Sequence, residues 1–214
     1  MGEIADYHVD QYTSGNWGTP TKQTRGGKNN MAVNTNATTK VITGKVRASY
    51  VHIFKPNAMD GNEPKYSMSI IIPKSDKKTL AAIKQAVDAA KQAGLATLGG
   101  KIPANLKTPL RDGDIDREDD EAYVGCYFIN CSSKNKPGII DQHKQEIMDS
   151  TEVYSGCFVR VSLNFYAYNT NGNKGIAAGL NNVQKWADGD FLGGRSRAED
   201  EFDELEVDED DFMD

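Results

Sequence analysis

The sequence predicts a mainly β domain that contains one α-helix, and three observations support this fold class. Five separate runs are rich in β-branched and aromatic residues. One segment repeats apolar residues at helical spacing. Strand and helix patterns do not alternate along the chain, which argues against a doubly wound nucleotide-binding fold. Five strands and one helix over about 150 residues favour a small antiparallel barrel or a sandwich.

The first two runs form the N-terminal half of the predicted sheet. Thr39–Phe54 is dominated by β-branched and aromatic residues, with Gly44 as a point for a bulge. The apolar phase of this run slips near Ser49–Val51, which indicates a bulge there as well. Lys65–Ile72 is the second predicted strand, and Pro73 ends it.

The helix follows directly. Ser75 can cap its N-terminus, and Gly94 can close its C-terminus in a left-handed conformation. The face predicted to pack on the sheet carries Leu80, Ile83, Val87 and Ala90.

After a long irregular stretch with an acidic cluster at 112–121, strand character returns three times. The runs are Tyr123–Cys131, Val153–Tyr168 and Ile176–Val183. Asn169–Lys174 has the composition of a hairpin turn, so the last two runs are expected to pair.

The alternation of apolar and polar residues that is typical of a strand is clearest from residue 159 to residue 168. One face is apolar and is predicted to lie in the core: Val159, Val161, Leu163, Phe165 and Ala167. The other face carries Arg160, Ser162, Asn164, Tyr166 and Tyr168. Tyrosines beside an arginine can stack on bases and contact phosphates. The alternative, that Tyr166 and Tyr168 pack under a loop or against a cross-strand neighbour, stays open.

Charge is distributed unevenly along the 214 residues, whose net charge is −6. Residues 199–214 contain eleven acidic side chains and no basic one, and residues 112–121 contain seven acids and one base. The rest of 38–198 carries 21 basic and 10 acidic residues, an excess of eleven positive charges. A basic body beside an acidic tail predicts a surface that binds a polyanion.

Composition also divides the chain into three parts. Residues 1–37 are rich in Gly, Asn and Thr and are expected to form a flexible arm. Residues 38–197 contain every predicted strand and form the folded domain, whereas 198–214 are expected to be a disordered acidic tail. No apolar run approaches the roughly 18 residues of a membrane helix, and no secretory signal is visible. We therefore expect neither a membrane protein nor a secreted one.

Motifs for metal, cofactor or catalysis fail on inspection. The three cysteines, Cys126, Cys131 and Cys157, form no CxxC pair and are expected to be buried or half-buried thiols in a reducing cytoplasm. Asp112, Asp114 and Asp116 begin like a calcium loop, but Arg117 stands where that loop needs glycine. We expect no catalytic site, no metal and no cofactor.

Several collinear stretches of the chain resemble a family of bacteriophage single-stranded-DNA-binding proteins, and they extend from about Thr39 to Arg197. They are Lys40–Arg47, Pro64–Asp76, Lys107–Asp114, Gly125–Asn130, Lys136–Gly138, Val153–Cys157, Asn164–Tyr168 and Gly172–Asn182. The resemblance implies an OB-type five-stranded antiparallel barrel with one helix. It also implies a non-enzymatic protein that coats single strands in phage replication and recombination, in the cytoplasm of the bacterial host.

Basic and aromatic side chains at strand faces, strand ends and loops are the candidates for contacting DNA. These candidates are Lys45, Arg47, Tyr50, Lys55, Lys65, Lys134, Lys136, Arg160, Tyr166, Tyr168, Lys174, Lys185 and Trp186. Related binders end in an acidic tail whose terminal aromatic residue contacts replication proteins, which implies that role for Phe212. The same tail can compete with DNA for the basic groove.

Three other functions stay open at this point. A recombination mediator or strand-annealing protein would use the same surface to pair strands. An acidic DNA-mimic module would bind a basic partner, and a small nuclease would hold metal on Asp112, Asp114 and Asp116. The sequence also leaves open whether the protein forms a homo-oligomer.

Overall fold

The structure is a computed structural model that describes residues 38–58, 63–170 and 172–193. Strands dominate this part of the chain. The predicted arm at 1–37 and the predicted tail at 198–214 lie outside these ranges. In chain order the elements are β1 (Lys40–Ile42), β2 (Val46–Asn57), β3 (Lys65–Pro73), α1 (Lys77–Ala93), β4 (Leu110–Asp112), α2 (Gly113–Asp116), a 3-10 turn (Glu121–Tyr123), β5 (Cys126–Ser133), β6 (Gly138–Ile140), β7 (Phe158–Thr170) and β8 (Asn173–Ala187).

Five of these strands pair into a closed ring. β2 pairs with β3 and β3 with β5, both antiparallel. β5 then pairs in parallel with β8, and the antiparallel pairs β8–β7 and β7–β2 complete the ring. The short strands β1, β4 and β6 pair with β7, β5 and β8 at its margin. The five predicted runs supply the five ring strands, and the predicted hairpin joins β7 to β8.

The interior of the ring is the hydrophobic core. On β7 the predicted inward residues Val159, Val161, Leu163 and Phe165 are at most 2% exposed. The predicted apolar face of α1 is buried against the same cluster. Fully burying an aliphatic side chain contributes about 1.5–3 kcal/mol, so this shared core couples the helix to the ring.

Two predictions about the ends of α1 are wrong. Asp76, not Ser75, is the N-cap, because the Asp76 carboxylate accepts the Thr79 backbone N–H at 3.0 Å. Gly94 has a φ of −92°, so the helix does not end in a left-handed residue. Glycine is required there by packing, since a Cβ at Gly94 would lie 2.2 Å from the Cβ of Ala167.

The first predicted strand is divided in two at Gly44. β1 and β2 both pair with β7, and Gly44 lies in the turn between them rather than in a bulge. Its N–H donates to the hydroxyl oxygen of Thr79, at 3.1 Å. The turn is thereby fixed to the first turn of α1, a long-range contact that no local pattern encodes.

The cysteines are buried or half-buried, as predicted, and all three are free thiols. Burial raises the pKa of the Cys131 thiol to about 12, and it also raises the pKa values of Cys126 and Cys157. These thiols therefore stay protonated at neutral pH. In the described ranges, no helix combines the length and the apolar character needed to span a bilayer.

We predict that Gly94→Ala lowers the free energy of unfolding by about 1–3 kcal/mol, because the new methyl group forces the end of α1 away from β7. Chemical denaturation measures this change. Gln92→Ala, at an exposed position two residues earlier, is the control and should change stability by less than about 0.5 kcal/mol. Equal stability of the two variants would contradict the packing argument.

Candidate nucleic-acid interface

A groove of about 540 Å³ lies on the outer face of β2, β3 and β5. Strand register explains its polar floor, because residues directly opposite each other in adjacent strands share one face of a sheet. Ser69 of β3 pairs with Ser49 and Asn130, and Ser67 pairs with His52 and Ser132. The residues that line the groove are Tyr50, His52, Asn57, Ser67, Met68, Ser69, Arg117, Asn130, Cys131 and Ser132.

Arg117 borders one side of the groove and belongs to residues 110–125, here called the wall segment. The wall segment crosses the outer face of β3 and β5, where Tyr123 buries Ile71 and Phe128 in a second small apolar cluster. The Tyr123 and Phe128 rings meet edge to face with centroids 5.2 Å apart. The sequence places residues 110–122 in an irregular stretch and predicts a strand from Tyr123, which is wrong: Tyr123 ends the 3-10 turn and covers the sheet, and β5 begins at Cys126.

Ion pairs hold the wall segment in place. The Lys74 ammonium lies 2.6 Å from both the Asp112 and the Asp114 carboxylates. These contacts raise the pKa of Lys74 well above its usual range, and the hydrogen bond from Lys74 lowers the pKa of Asp114. Asp114 also accepts the backbone N–H of Gly125 at 2.6 Å.

The carboxylates that a nuclease would use for metal are therefore occupied by cations. Lys74 forms ion pairs with Asp112 and Asp114, and the Asp116 carboxylate lies 3.1 Å from the Arg111 guanidinium. Within the described ranges, no group of three or more His, Cys, Asp or Glu side chains is arranged to hold a metal ion.

Tyr50 stands at the edge of the groove in an unusual backbone conformation. The pairing of β2 with β3 shifts between Ser49 and His52, which confirms the predicted irregularity in this strand. Tyr50 has a φ of +47°, a left-handed conformation that costs a residue with a Cβ about 1–2 kcal/mol. The bulge turns the side chain outward, and Tyr50 is 51% exposed.

Arg117 reaches Tyr50 from the wall segment. Its guanidinium carbon lies 5.3 Å from the centre of the Tyr50 ring, and Nη1 donates to the Tyr50 hydroxyl at 3.3 Å. The same guanidinium lies over the Tyr123 and Phe128 rings, at 5.5 and 5.9 Å. Although its sequence neighbours are acidic, Arg117 makes no ion pair with a carboxylate of the described residues. Sequence reasoning missed Arg117 as a site residue, because nothing local shows which way it turns.

Four predicted lysines lie near the β2–β3 loop end of the groove or in the turn after β5. Lys65 pairs with Asn57, which lines the groove, and Lys55 lies two residues earlier on β2. Both lysines are exposed. Lys134 is exposed but lies 2.5 Å from Glu63, and Lys136 is exposed in the turn that follows.

Two predicted cations at the start of β2 are engaged in contacts within the domain. The Lys45 ammonium lies 4.1 Å from the centre of the Phe158 ring. The Arg47 guanidinium donates to the backbone oxygens of Gly156 and Asp190, at 3.1 and 2.8 Å. Arg47 therefore ties the chain that follows β8 to the ring.

The remaining predicted residues lie on β7 and β8, which neighbour β2 and β5 in the ring but contribute no residue to the groove lining. Tyr168 packs against Gly175 across the hairpin, which is the cross-strand alternative left open above. The Lys174 ammonium donates to the Leu98 backbone oxygen at 2.8 Å, and Lys185 lies 3.0 Å from Asp188. Tyr166 and Trp186 are 47% and 43% exposed, with the Arg160 guanidinium 5.9 Å from the Trp186 ring. Of the predicted DNA-contacting residues, all of which lie within the described ranges, only Tyr50 lines the groove, and the others are distributed over several parts of the surface.

Residues 39–213 match the model of a protein family described as Enterobacter phage Enc34, ssDNA-binding protein. The chain belongs to this family. It is 31% identical over 183 residues to protein p50 of Acyrthosiphon pisum secondary endosymbiont phage 1, covering 81% of this chain and 98% of that protein. The predicted membership of a phage single-stranded-DNA-binding family is confirmed.

Solved structures agree with this family assignment. The single-stranded DNA-binding protein of bacteriophage Enc34, in complex with ssDNA, superposes with a TM-score of 0.62 and 28% identity, covering 72% of this chain and 89% of that one. The bacteriophage T7 protein gp2.5 superposes with a TM-score of 0.56 at 16% identity, covering 77% and 95% of the two chains, and supports the fold. The predicted mainly β, OB-like fold is confirmed.

The position of the groove in the ring can be compared with the ligand face of OB-folds in general. OB-folds bind oligonucleotides on the face of their second and third strands, beside the loop that joins the first and second strands. Counting from β2, the second and third ring strands are β3 and β5, which form most of the groove floor.

We predict that Lys74→Met loosens the wall segment, because Asp112 and Asp114 lose their shared cation. Hydrogen exchange should become faster at the amides of 113–125, including the Gly125 N–H, which donates a hydrogen bond to Asp114. In the unmodified protein the same loosening is expected only as pH falls below the ordinary carboxyl pKa of 3.8, since the pKa of Asp114 is lowered. Lys77→Met, at an exposed position on α1, is the control; an identical exchange profile for both variants would contradict the clamp.

Proposed function

We propose that this protein binds single-stranded DNA, without catalysing a reaction and with little sequence preference, through the groove on β2, β3 and β5. The observation that carries the proposal is Tyr50, which is half-exposed and turned out by a strained bulge at the edge of the OB ligand face. Strained backbone persists where the surrounding structure enforces it and clusters at functional sites. Membership of the family supports the same function.

Binding follows from the chemistry of the groove. Stacking of a base on an aromatic ring contributes about 1–3 kcal/mol and tolerates any sequence, because every base has a π-face. Ser67, Ser132 and Asn130, which are exposed or half-buried on the floor, can exchange water for base edges. Lys55 and Lys65, both exposed, can neutralise phosphates and release counterions.

In the cell, the proposed role is to coat single strands during phage replication and recombination, in the cytoplasm of the bacterial host. A coated strand cannot reanneal, and its phosphates are shielded from nucleases. The Enc34 protein is solved in complex with ssDNA, and this proposal extends that binding to the present chain.

Strand annealing is a second candidate, and a specific observation favours it. Tyr166 and Trp186 are exposed on β7 and β8, outside the groove. Trp186 lies across from the start of β7 with Arg160 beside it, and Tyr166 lies roughly 25 Å further along the same hairpin, so the two rings offer separate points at which a complementary strand could be held. Under this alternative, the protein would speed the pairing of complementary oligonucleotides, and Tyr166→Ala would abolish that gain.

The acidic tail is proposed to regulate access to the groove. Leu192 and Gly193 line a cavity of about 250 Å³ together with Tyr50, so the described chain ends beside the groove. Residues 199–214 begin a few residues later and carry only negative charge. They are proposed to compete with DNA for the lysines and, through Phe212, to bind replication or recombination proteins.

We predict that Tyr50→Ala weakens binding of oligo-dT roughly 5- to 150-fold, because one base loses its stacking partner. Fluorescence anisotropy with labelled oligo-dT and a matched duplex, over a salt series, measures the change. The unmodified protein should prefer the single strand, with log affinity falling against log salt at roughly −0.7 per phosphate contacted.

Tyr166→Ala is the matched control, because Tyr166 is exposed to a similar extent but does not line the groove. It should leave affinity for oligo-dT unchanged. A loss with Tyr166→Ala and none with Tyr50→Ala would move the site to β7 and β8. Absence of binding by the unmodified protein and by a chain that ends at Arg197 would favour a DNA-mimic module.

We predict that the chain ending at Arg197 binds oligo-dT as tightly as the full chain or more tightly, because eleven acidic side chains no longer compete for the groove. The difference should shrink as salt screens the tail. A full chain in which Phe212 alone is changed to alanine should keep its affinity for DNA. Weaker binding after truncation would instead make the tail part of the DNA site.

A further inference from the structure

The two ends of the groove differ in chemistry. Along β3, Ile71 is covered by Tyr123 of the wall segment, Ser69 and Ser67 form the floor, and Lys65 stands at the opposite end. Ser69 and Lys65 are four residues apart, or about 13 Å along a strand. A single strand that crosses this floor can therefore meet different side chains at the two ends.

Acidic side chains surround Arg117 on the wall segment, where they line a neighbouring pocket and not the groove itself. Glu118, Asp119 and Glu121 are exposed on the wall segment and have no cation within ion-pair distance among the described residues. Lys74 and Arg111 are already engaged by other carboxylates of the same segment. The negative charges of these carboxylates repel the negative charge of a phosphate, so a phosphate placed beside them would be destabilised.

The loop end attracts phosphates. Lys55 and Lys65 are exposed, and neither has an ion-pair partner among the described residues. The described acid nearest to them in sequence, Glu63, lies 2.5 Å from Lys134, which lowers the pKa of Glu63 and keeps it charged and paired. Lys65 also lowers the pKa of Glu63 through its charge, but neither Lys65 nor Lys55 forms an ion pair with a described carboxylate, so both ammonium groups can reach a phosphate.

Arg117 is the exception at the wall end, since it is a cation that lines the groove between acidic neighbours. Its guanidinium contacts the Tyr50 ring and hydroxyl and pairs with no carboxylate of the described residues. A guanidinium has five N–H donors in a planar fork. It stacks on flat aromatic rings, and it forms bidentate hydrogen bonds to phosphates. Only one of these donors is used by Tyr50.

We propose that Arg117 contacts the bases of a bound single strand, together with Tyr50, while the phosphates lie at the end formed by Lys55 and Lys65. The proposal rests on the proposed function and specifies how the strand is oriented in that site. The rival role for Arg117 is a phosphate ligand, which its acidic neighbours disfavour.

An abasic oligonucleotide separates the two roles, because it keeps the phosphates and lacks the bases. The full chain is titrated by anisotropy, over a salt series, with oligo-dT and with an abasic oligomer of equal length. Arg117→Met should weaken binding of oligo-dT several-fold, leave its salt slope unchanged and leave binding of the abasic oligomer unchanged. Lys55→Ala combined with Lys65→Ala should weaken both oligomers and reduce the slope by about 0.7 per lysine.

Arg111→Met is the matched control, because Arg111 lies on the same segment but does not line the groove. It should bind both oligomers as the unmodified protein does. Arg117→Lys preserves the charge if Arg117→Met proves unstable in a thermal melt. A base contact predicts weaker binding of oligo-dT by this variant, since the planar fork is lost, whereas a phosphate contact predicts nearly normal binding.

Two results would overturn the inference while leaving the proposed function intact. One is a slope reduced by about 0.7 in Arg117→Met with equal losses for both oligomers, which makes Arg117 a phosphate ligand. The other is unchanged binding of oligo-dT by Arg117→Met and Arg117→Lys. Failure of the unmodified protein to bind oligo-dT at low salt would overturn the proposed function itself.

Discussion

A strand in a closed ring places alternate side chains inside and outside, and this constraint determines the whole surface of the domain. The inner face of β3 carries Met68, Ile70 and Ile72 into the core. Its outer face carries Ser67, Ser69, Ile71 and Pro73, and Tyr123 of the wall segment covers Ile71 and reaches the Ser69 hydroxyl at 3.5 Å. The groove therefore lies on the polar part of this face, with Arg117 of the wall segment at its border.

Much of the positive charge that the composition records is used inside the domain. Arg47, Lys174 and Arg160 donate to backbone carbonyls, and Lys74 is shared by two carboxylates. These cations stabilise loops and segments that would otherwise leave polar groups without partners. A charge excess therefore overstates the number of phosphate contacts, and the salt dependence of binding reports the cations that remain free.

Two separate features hold the Tyr50 side chain in place: the strained backbone of β2 and the contact with the Arg117 guanidinium. The bulge in β2 holds Tyr50 in a left-handed conformation, and the guanidinium fixes the outward ring. The aromatic surface is thus oriented before any ligand arrives, which lowers the conformational entropy lost on binding. The acidic neighbours of Arg117 limit which part of a strand can approach it.

Local sequence patterns determined the five ring strands, the apolar face of α1, the β7–β8 hairpin and the irregularity at Tyr50, because periodicity and turn chemistry act between neighbouring residues. The short marginal strands β4 and β6 were not predicted. Tertiary structure alone decided which outward residues share a surface. Arg117 meets Tyr50 across 67 positions, and Arg47 meets Asp190 across 143. Alternation shows that a side chain points outward, but its partner depends on which segments the closed ring brings together.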